Sequence, residues 1–253
     1  MGQDSLEVSG LVVRFESLVA LDGVSLIAQP AMVTGIIGPN GAGKTTLLNA
    51  ICGFVTPQAG QITFDGKDLL KVRAHQLAGH GIARTLQSVG LFSGLSVIEN
   101  VMVGANVRSR TGFWLALAGW SDRDEQRLRD HALTALDRVG VADLADRMPA
   151  TLPHGSRKRV ALARALVAEP RMLLLDEPAS GLPEDELPEL GELITEIARD
   201  TGVLVIEHRM DLMMSVCQHI FVLDFGVLIA QGSPAEVQAN PLVTEAYLGV
   251  LHE

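Results

Sequence analysis

Nowhere do the 253 residues hold the roughly 18 to 20 consecutive apolar side chains that a bilayer-crossing helix needs. The most apolar oddity, Phe113-Trp114-Leu115-Ala116-Leu117-Ala118-Gly119-Trp120, is too short to span. The opening Met1-Gly2-Gln3-Asp4-Ser5 has no basic stretch leading into an apolar one, so no secretion signal is expected. The chain is expected to be soluble, with any membrane role coming through a partner. Cysteine is nearly missing: Cys52 and Cys217 are too few for a disulfide framework and are expected as buried free thiols in a reducing cytosol. The seven histidines and two cysteines show no zinc-ligand spacing. Basic residues are outnumbered, 20 against 30, for a net charge of −10. Nucleic acid is held largely by Lys and Arg against phosphates, so this balance argues against it as a partner.

What is present is a globular composition, 47% hydrophobic, enough for one large domain or a domain with a subdomain. Short strands are expected over Leu11 to Phe15 and Val24 to Ala28, and a buried strand over Val33 to Ile37. A glycine-rich loop follows, then a helix over Thr45 to Cys52 and a strand over Gln61 to Gly66. From about Leu95 to Leu166 the pattern is helical; Leu128, Ala132, Leu136 and Val139 share one face at spacings of three and four. Buried strands are then expected at Met172 to Leu175 and Val203 to Ile206. Between them lies an amphipathic helix, Glu184 to Arg199, with Leu187, Leu190, Leu193, Ile194 and Ile197 inward. The alternation predicts parallel strands joined by crossover helices. From about Phe221 a small hairpin and short helices close the chain.

Gly38-Pro39-Asn40-Gly41-Ala42-Gly43-Lys44-Thr45 fits G-x-x-x-x-G-K-[ST] between a buried strand and a helix. Glycines let the backbone turn its N–H groups onto phosphate oxygens, and the following helix adds its positive end. Lys44 would reach the β- and γ-phosphates, and the Thr45 hydroxyl would ligate Mg²⁺. Arg171-Met172-Leu173-Leu174-Leu175-Asp176-Glu177 is an apolar run ending in two acids. Charges rarely sit there without a task. Asp176 would hold Mg²⁺ and Glu177 would polarise the attacking water.

In order and spacing, these motifs resemble the ABC-type ATPases over nearly the whole chain. That resemblance implies a P-loop α/β core with a mostly parallel sheet, an N-terminal antiparallel β subdomain and an inserted helical subdomain. The catalytic core would cover about 1–93 and 167–253, and the helical signature part about 94–166. ATP would lie on the phosphate loop, Thr46 included, with Phe15 at the adenine-stacking position. Gln87, in Ala83-Arg84-Thr85-Leu86-Gln87, falls at the Q-loop glutamine that meets Mg²⁺ and the attacking water. His208 matches the switch histidine that contacts the γ-phosphate. Leu152-Pro153-His154-Gly155-Ser156 falls where the signature lies, directly before an expected helix from Arg157 to Ala168, and would serve the ATP of a partner subunit.

Gly81 to Gln87 followed by Leu91-Phe92, Leu95 to Val101, the insertion Val107 to Asp130 and the ending Asn240 to Gly249 are similar to one branch, the importer ATPases for hydrophobic, branched-chain amino acids of the LivG type. Such a subunit pairs with a second ATPase beneath two transmembrane permease subunits, on the cytoplasmic face of the inner membrane. A solute-binding protein delivers the substrate. Against the usual L-S-G-G-Q the chain has Pro153, His154 and Ser156, and Pro183 stands where Asp or Asn is usual. One of the two composite ATP sites is therefore expected to be weaker. Urea, amides or other amino acids remain open as solutes. An exporter ATPase of the lipopolysaccharide type, and a soluble ABC ATPase on ribosomes or DNA, stand as alternatives. The Gly112 to Trp120 segment reads either as a lid on the helical part or as a surface loop with an apolar anchor.

Overall fold

The computed structural model describes residues 4–85, 89–105 and 122–248. Among them the strands are, in chain order, β1 (Leu6–Phe15), β2 (Leu18–Ala28), β3 (Val33–Ile37), β4 (Ala59–Phe64), β5 (Lys67–Asp68), β6 (Ile82–Arg84), β7 (Met172–Asp176), β8 (Gly202–Ile206), β9 (His219–Asp224) and β10 (Val227–Gly232). The chain divides into two compact units, one of Met1–Leu77 with Leu174–Glu253 and one of Ala78–Leu173.

The first unit carries two sheets. One is antiparallel, in the order β2-β1-β4-β5. In β1 the buried positions are Leu6 and Val8, then Leu11 and Val13. The inward phase slips by one residue at Ser9–Gly10, where the pairing to β2 shifts register. A β-bulge of this kind keeps both halves of a strand facing the same core. The other sheet runs β10-β9-β3-β8-β7 within this unit, with β3 parallel to β8 and β9, and β10 antiparallel to β9. All residues of β3, β7 and β8 are buried, so these strands are continuous apolar runs rather than alternating ones. A Cβ on Gly35, inside β3, would lie 2.5 Å from the Met213 Cε and 2.8 Å from the Cys217 Sγ. The helix Met210–Val216 thus packs directly on the strand's backbone. Neither Cys52 nor Cys217 is in a disulfide and both are buried, as expected, and burial pushes the Cys217 thiol up to about 12.

In the second unit the helices Val97–Ala105, Asp122–Arg138 and His154–Leu166 pack against one another. Ala132, Leu136 and Val139 are buried as their spacing predicts. The buried Asn100 amide organises the preceding loop. Its Oδ1 accepts the Phe92 N–H, and its Nδ2 donates to the carbonyls of Phe92, Leu95 and Ser96. The Gly81 carbonyl accepts the N–H groups of Arg171 and Met172, which sets the start of β7 beside β6.

One expected helix differs. Over Glu184 to Arg199 the chain forms a 3₁₀ turn, Glu184–Glu186, and then a helix, Leu187–Ile197. Pro188 lies in that helix's first turn, where a missing N–H costs nothing. Leu190 is only half-buried, and Gly191 takes an inward place. No described helix is long and apolar enough to cross a membrane. The Gly112 to Trp120 segment lies outside the described residues.

Candidate functional site

β3 ends at Ile37, the loop Gly38–Gly43 turns, and the helix Lys44–Ile51 begins. The turn is one only glycine can make at its first position. Gly38 has φ +153°, and a Cβ there would lie 2.0 Å from the Leu223 carbonyl oxygen. Lys44 is 7% exposed, and its Nζ donates to the carbonyls of Gly38 at 2.7 Å and Pro39 at 2.8 Å. Burial pulls the ammonium below its ordinary value, while the nearby charges of Glu177 and Glu207 pull it back up. Thr45 is exposed and Thr46 half-buried, both in the first turn of the helix.

The loop forms one side of a cleft of about 340 Å³. Asn40, Gly41, Ala42, Gly43, Lys44, Thr45, Thr46 and Glu177 supply its polar face, and Phe15, Leu18, Val19, Ala20 and Phe225 its apolar face. Phe15 is 47% exposed and Phe225 86% exposed, so aromatic surface is presented to whatever enters. A nucleotide needs both faces, N–H groups for phosphates and flat apolar surface for a base. A larger groove, about 680 Å³, lies along the helices Leu187–Ile197 and Met210–Val216. It is lined by Glu184, Glu192, Glu196 and Asp211 against Arg199, a charge pattern that repels phosphates.

Asp176 closes β7 and is buried. The next residue, Glu177, has φ +47°, a left-handed conformation uncommon for a side chain of this size. Its N–H donates to the Ile206 carbonyl at 2.9 Å, which fixes the turn against the end of β8, and its side chain lines the cleft. Backbone strain of this sort gathers where geometry is held for a purpose. After β8 come Glu207, fully buried, and His208, whose side chain is half-exposed. His208 Nδ1 lies 3.4 Å from the Glu207 Oε2.

The structure therefore brings Phe15, the loop residues Asn40 to Thr46 and Glu177 around one cleft, with Gly38 and Pro39 preceding them in the same loop and Asp176 and His208 at neighbouring strand ends of the same unit. Leu152, Pro153, His154, Gly155 and Ser156 belong to the second unit. Pro153 is the N-cap of a helix that starts at His154, earlier than the sequence suggested, and no side chain caps it. Leu152 and Gly155 are buried, whereas Pro153 and His154 are exposed. Gln87 lies outside the described residues.

Sequence reasoning missed three residues here. Phe225 sits at φ +40° in the turn between β9 and β10. A bulky aromatic between Asp224 and Gly226 was the available signal. Glu207 carried the signal that singled out Asp176 and Glu177, an acid closing an apolar run. Tyr247, on the helix Pro241–Leu248, has a buried hydroxyl, and burial pushes it up to about 12. The Gly38 backbone lies nearby, but the hydroxyl has no hydrogen-bond partner among the described residues.

Comparison with known proteins places this geometry. Residues 21–180 match the model of the ABC transporter family, and residues 227–253 match that of the branched-chain amino acid ATP-binding cassette transporter. The chain is 40% identical over 253 residues to the high-affinity branched-chain amino acid transport ATP-binding protein LivG of Salmonella typhimurium, covering 98% of this chain and 99% of that one. It is 39% identical, with the same coverage, to the corresponding protein BraF of Pseudomonas aeruginosa. Among solved structures, an ATP-binding cassette of an ABC transporter in its ADP conformation superposes with a TM-score of 0.84 at 30% identity, covering 98% of this chain and all of that one. With its phosphate loop, paired strand-end acids and full-length likeness, the chain belongs to the ABC transporter ATP-binding proteins, in the branch of the branched-chain amino acid transport ATP-binding proteins.

Proposed function

We propose that the chain is the ATP-binding and ATP-hydrolysing subunit that energises an importer of branched-chain amino acids. The observation that carries this reading is the Lys44 loop facing Glu177 across one cleft, in a chain matched end to end by transport ATP-binding proteins of that branch. The adenine ring stacks on Phe15, and the phosphates lie along Gly38, Pro39, Asn40, Gly41, Ala42 and Gly43 under their N–H groups. Lys44 neutralises the terminal phosphates, with Thr45 and Thr46 beside it. Glu177 accepts a proton from the attacking water and Gln87 helps orient it. His208 contacts the γ-phosphate. Catalysis is mostly positioning and charge stabilisation.

Mg²⁺ fits this set of donors. Among the described residues no three His, Cys, Asp or Glu side chains gather as a metal cage. Mg²⁺ typically takes one or two protein oxygens and fills its shell with water and substrate phosphates. Thr45, Asp176 and Gln87 would hold it, and it would neutralise charge on the phosphates during transfer.

The chain works as one ATPase domain, a core of about 1–93 and 167–253 with a helical signature part of about 94–166. It pairs with a second ATPase subunit so that Leu152–Ser156 of each closes on the other's ATP. Two transmembrane permease subunits receive the motion at the inner face of the membrane, where this subunit is peripheral, and a solute-binding protein supplies the amino acid. Pro153, Ser156 and Pro183 make the composite site they serve the weaker of the two.

The test is Glu177→Gln, tagged and recovered from native membranes with ATP. ATP binding is expected to persist while turnover falls at least ~100-fold, the usual weight of a general base. Two multi-span membrane proteins and a second small ATPase are expected to come with it. Unchanged turnover would remove Glu177 from its role, and ribosomal or DNA-bound partners without membrane proteins would overturn import.

A further inference from the structure

The chemistry proposed above gives Glu207 no part, yet its side chain is fully buried. An ionised carboxylate survives such burial only when donors surround it. Here the donors come from two separate segments. Oε1 accepts the Ala179 N–H at 2.8 Å, and Oε2 accepts the N–H groups of His208 at 2.8 Å and Arg209 at 3.1 Å. The same Oε2 lies 3.4 Å from His208 Nδ1. Ala179 follows Glu177 by two residues, so one carboxylate joins the backbone leaving Glu177 to the backbone carrying His208. A second tie, Glu177 N–H to the Ile206 carbonyl, runs parallel to it.

We propose that Glu207 is a positioning residue for ATP hydrolysis: it holds the His208 ring by Nδ1, so that Nε2 is the nitrogen presented to the γ-phosphate, and it fixes the Ala179 turn to that ring. Which imidazole nitrogen meets a ligand is set by what the other one faces, and such outer partners carry a share of activity without touching the reacting atoms. Glu177 and His208 are thereby kept at one spacing through the opening and closing of the site. The inference rests on the reading of His208 as the γ-phosphate contact.

A double-mutant cycle on the chain in its membrane complex tests both and separates them. ATPase kcat and KM, and affinity for a fluorescent ATP analogue, are measured for Glu207→Gln, His208→Ala, the double variant and Glu207→Asp. Glutamine keeps the shape but puts an NH₂ group where donors converge. Glu207→Gln is expected to lower kcat about 10- to 100-fold, with KM and nucleotide affinity little changed. Added to His208→Ala it should lower kcat hardly further, because its route to the chemistry is already gone. Glu207→Asp, which keeps the charge, should recover part of the loss. Losses that multiply in the double variant would make Glu207 a structural residue and overturn the proposal. So would full kcat in Glu207→Gln, or failure of both Glu207 variants to bind nucleotide. Full kcat in His208→Ala would instead overturn the reading beneath it, and the proposal with it.

Discussion

The Lys44 ammonium sits beneath the first residues of the phosphate loop, almost out of contact with water. Because folding lowers its pKa, the charged form opposes folding at pH values below the folded pKa. That penalty fades as pH rises from the folded pKa toward the ordinary 10.5. Lys44→Met keeps the stem and removes the charge. It is therefore expected to melt above the parent at neutral pH while losing ATP binding, and the gap should close as the pH approaches 10.5. A lower melting temperature would mean that the two carbonyl hydrogen bonds outweigh burial. At this scale the loop from Gly38 to Thr45 was readable because its chemistry dictates both residue types and spacing. Glu207 and Phe225 were not read, for different reasons. An acid after Ile206 shows nothing in sequence of the three N–H groups converging on it, and the exposure of Phe225 depends on a left-handed turn that spacing does not reveal.

Among the elements, strands buried on both faces were legible almost to their ends. β3 was read at its observed bounds, and β7 and β8 fell one residue short. β1 was read only from Leu11, since the bulge at Ser9–Gly10 reverses the alternation and hides Leu6 and Val8 from a period-two pattern. The helices of the second unit were legible as helices, but not how closely they approach. A Cβ on Gly104 would lie 2.1 Å from the Arg164 carbonyl oxygen and 2.9 Å from the Val167 Cγ1. Gly104→Ala is expected to cost about 1–3 kcal/mol or more, as overpacking does, seen as a lower denaturant midpoint with an unchanged slope. Gly79→Ala, where an added Cβ meets nothing within 4 Å, should fall within about 0.5 kcal/mol of the parent. Equal behaviour of the two would mean that the helices part to admit a methyl.

Taken whole, the molecule is an acidic protein that binds a polyanion. On the function proposed above, its attraction for phosphate is local, made by the Lys44 ammonium and a row of backbone N–H groups rather than by net charge. This is why the ATPase was legible in a chain whose composition argued only against nucleic acid. The transported solute was legible only by likeness, since phosphate chemistry is the same whatever crosses the membrane. Tyr247 is the sole tyrosine of the chain, and its phenol lies at the first glycine of the phosphate loop. The protein thus carries a native chromophore at its working centre. Alkaline titration of phenolate absorbance should give a single step near 12 in the folded chain, against 10 once unfolded, and stability should fall as pH rises between those values. The negative charge of a nucleotide seated on that loop disfavours the phenolate and should move that step upward, which would make the branch's own C-terminal segment an optical gauge of occupancy, with no label attached.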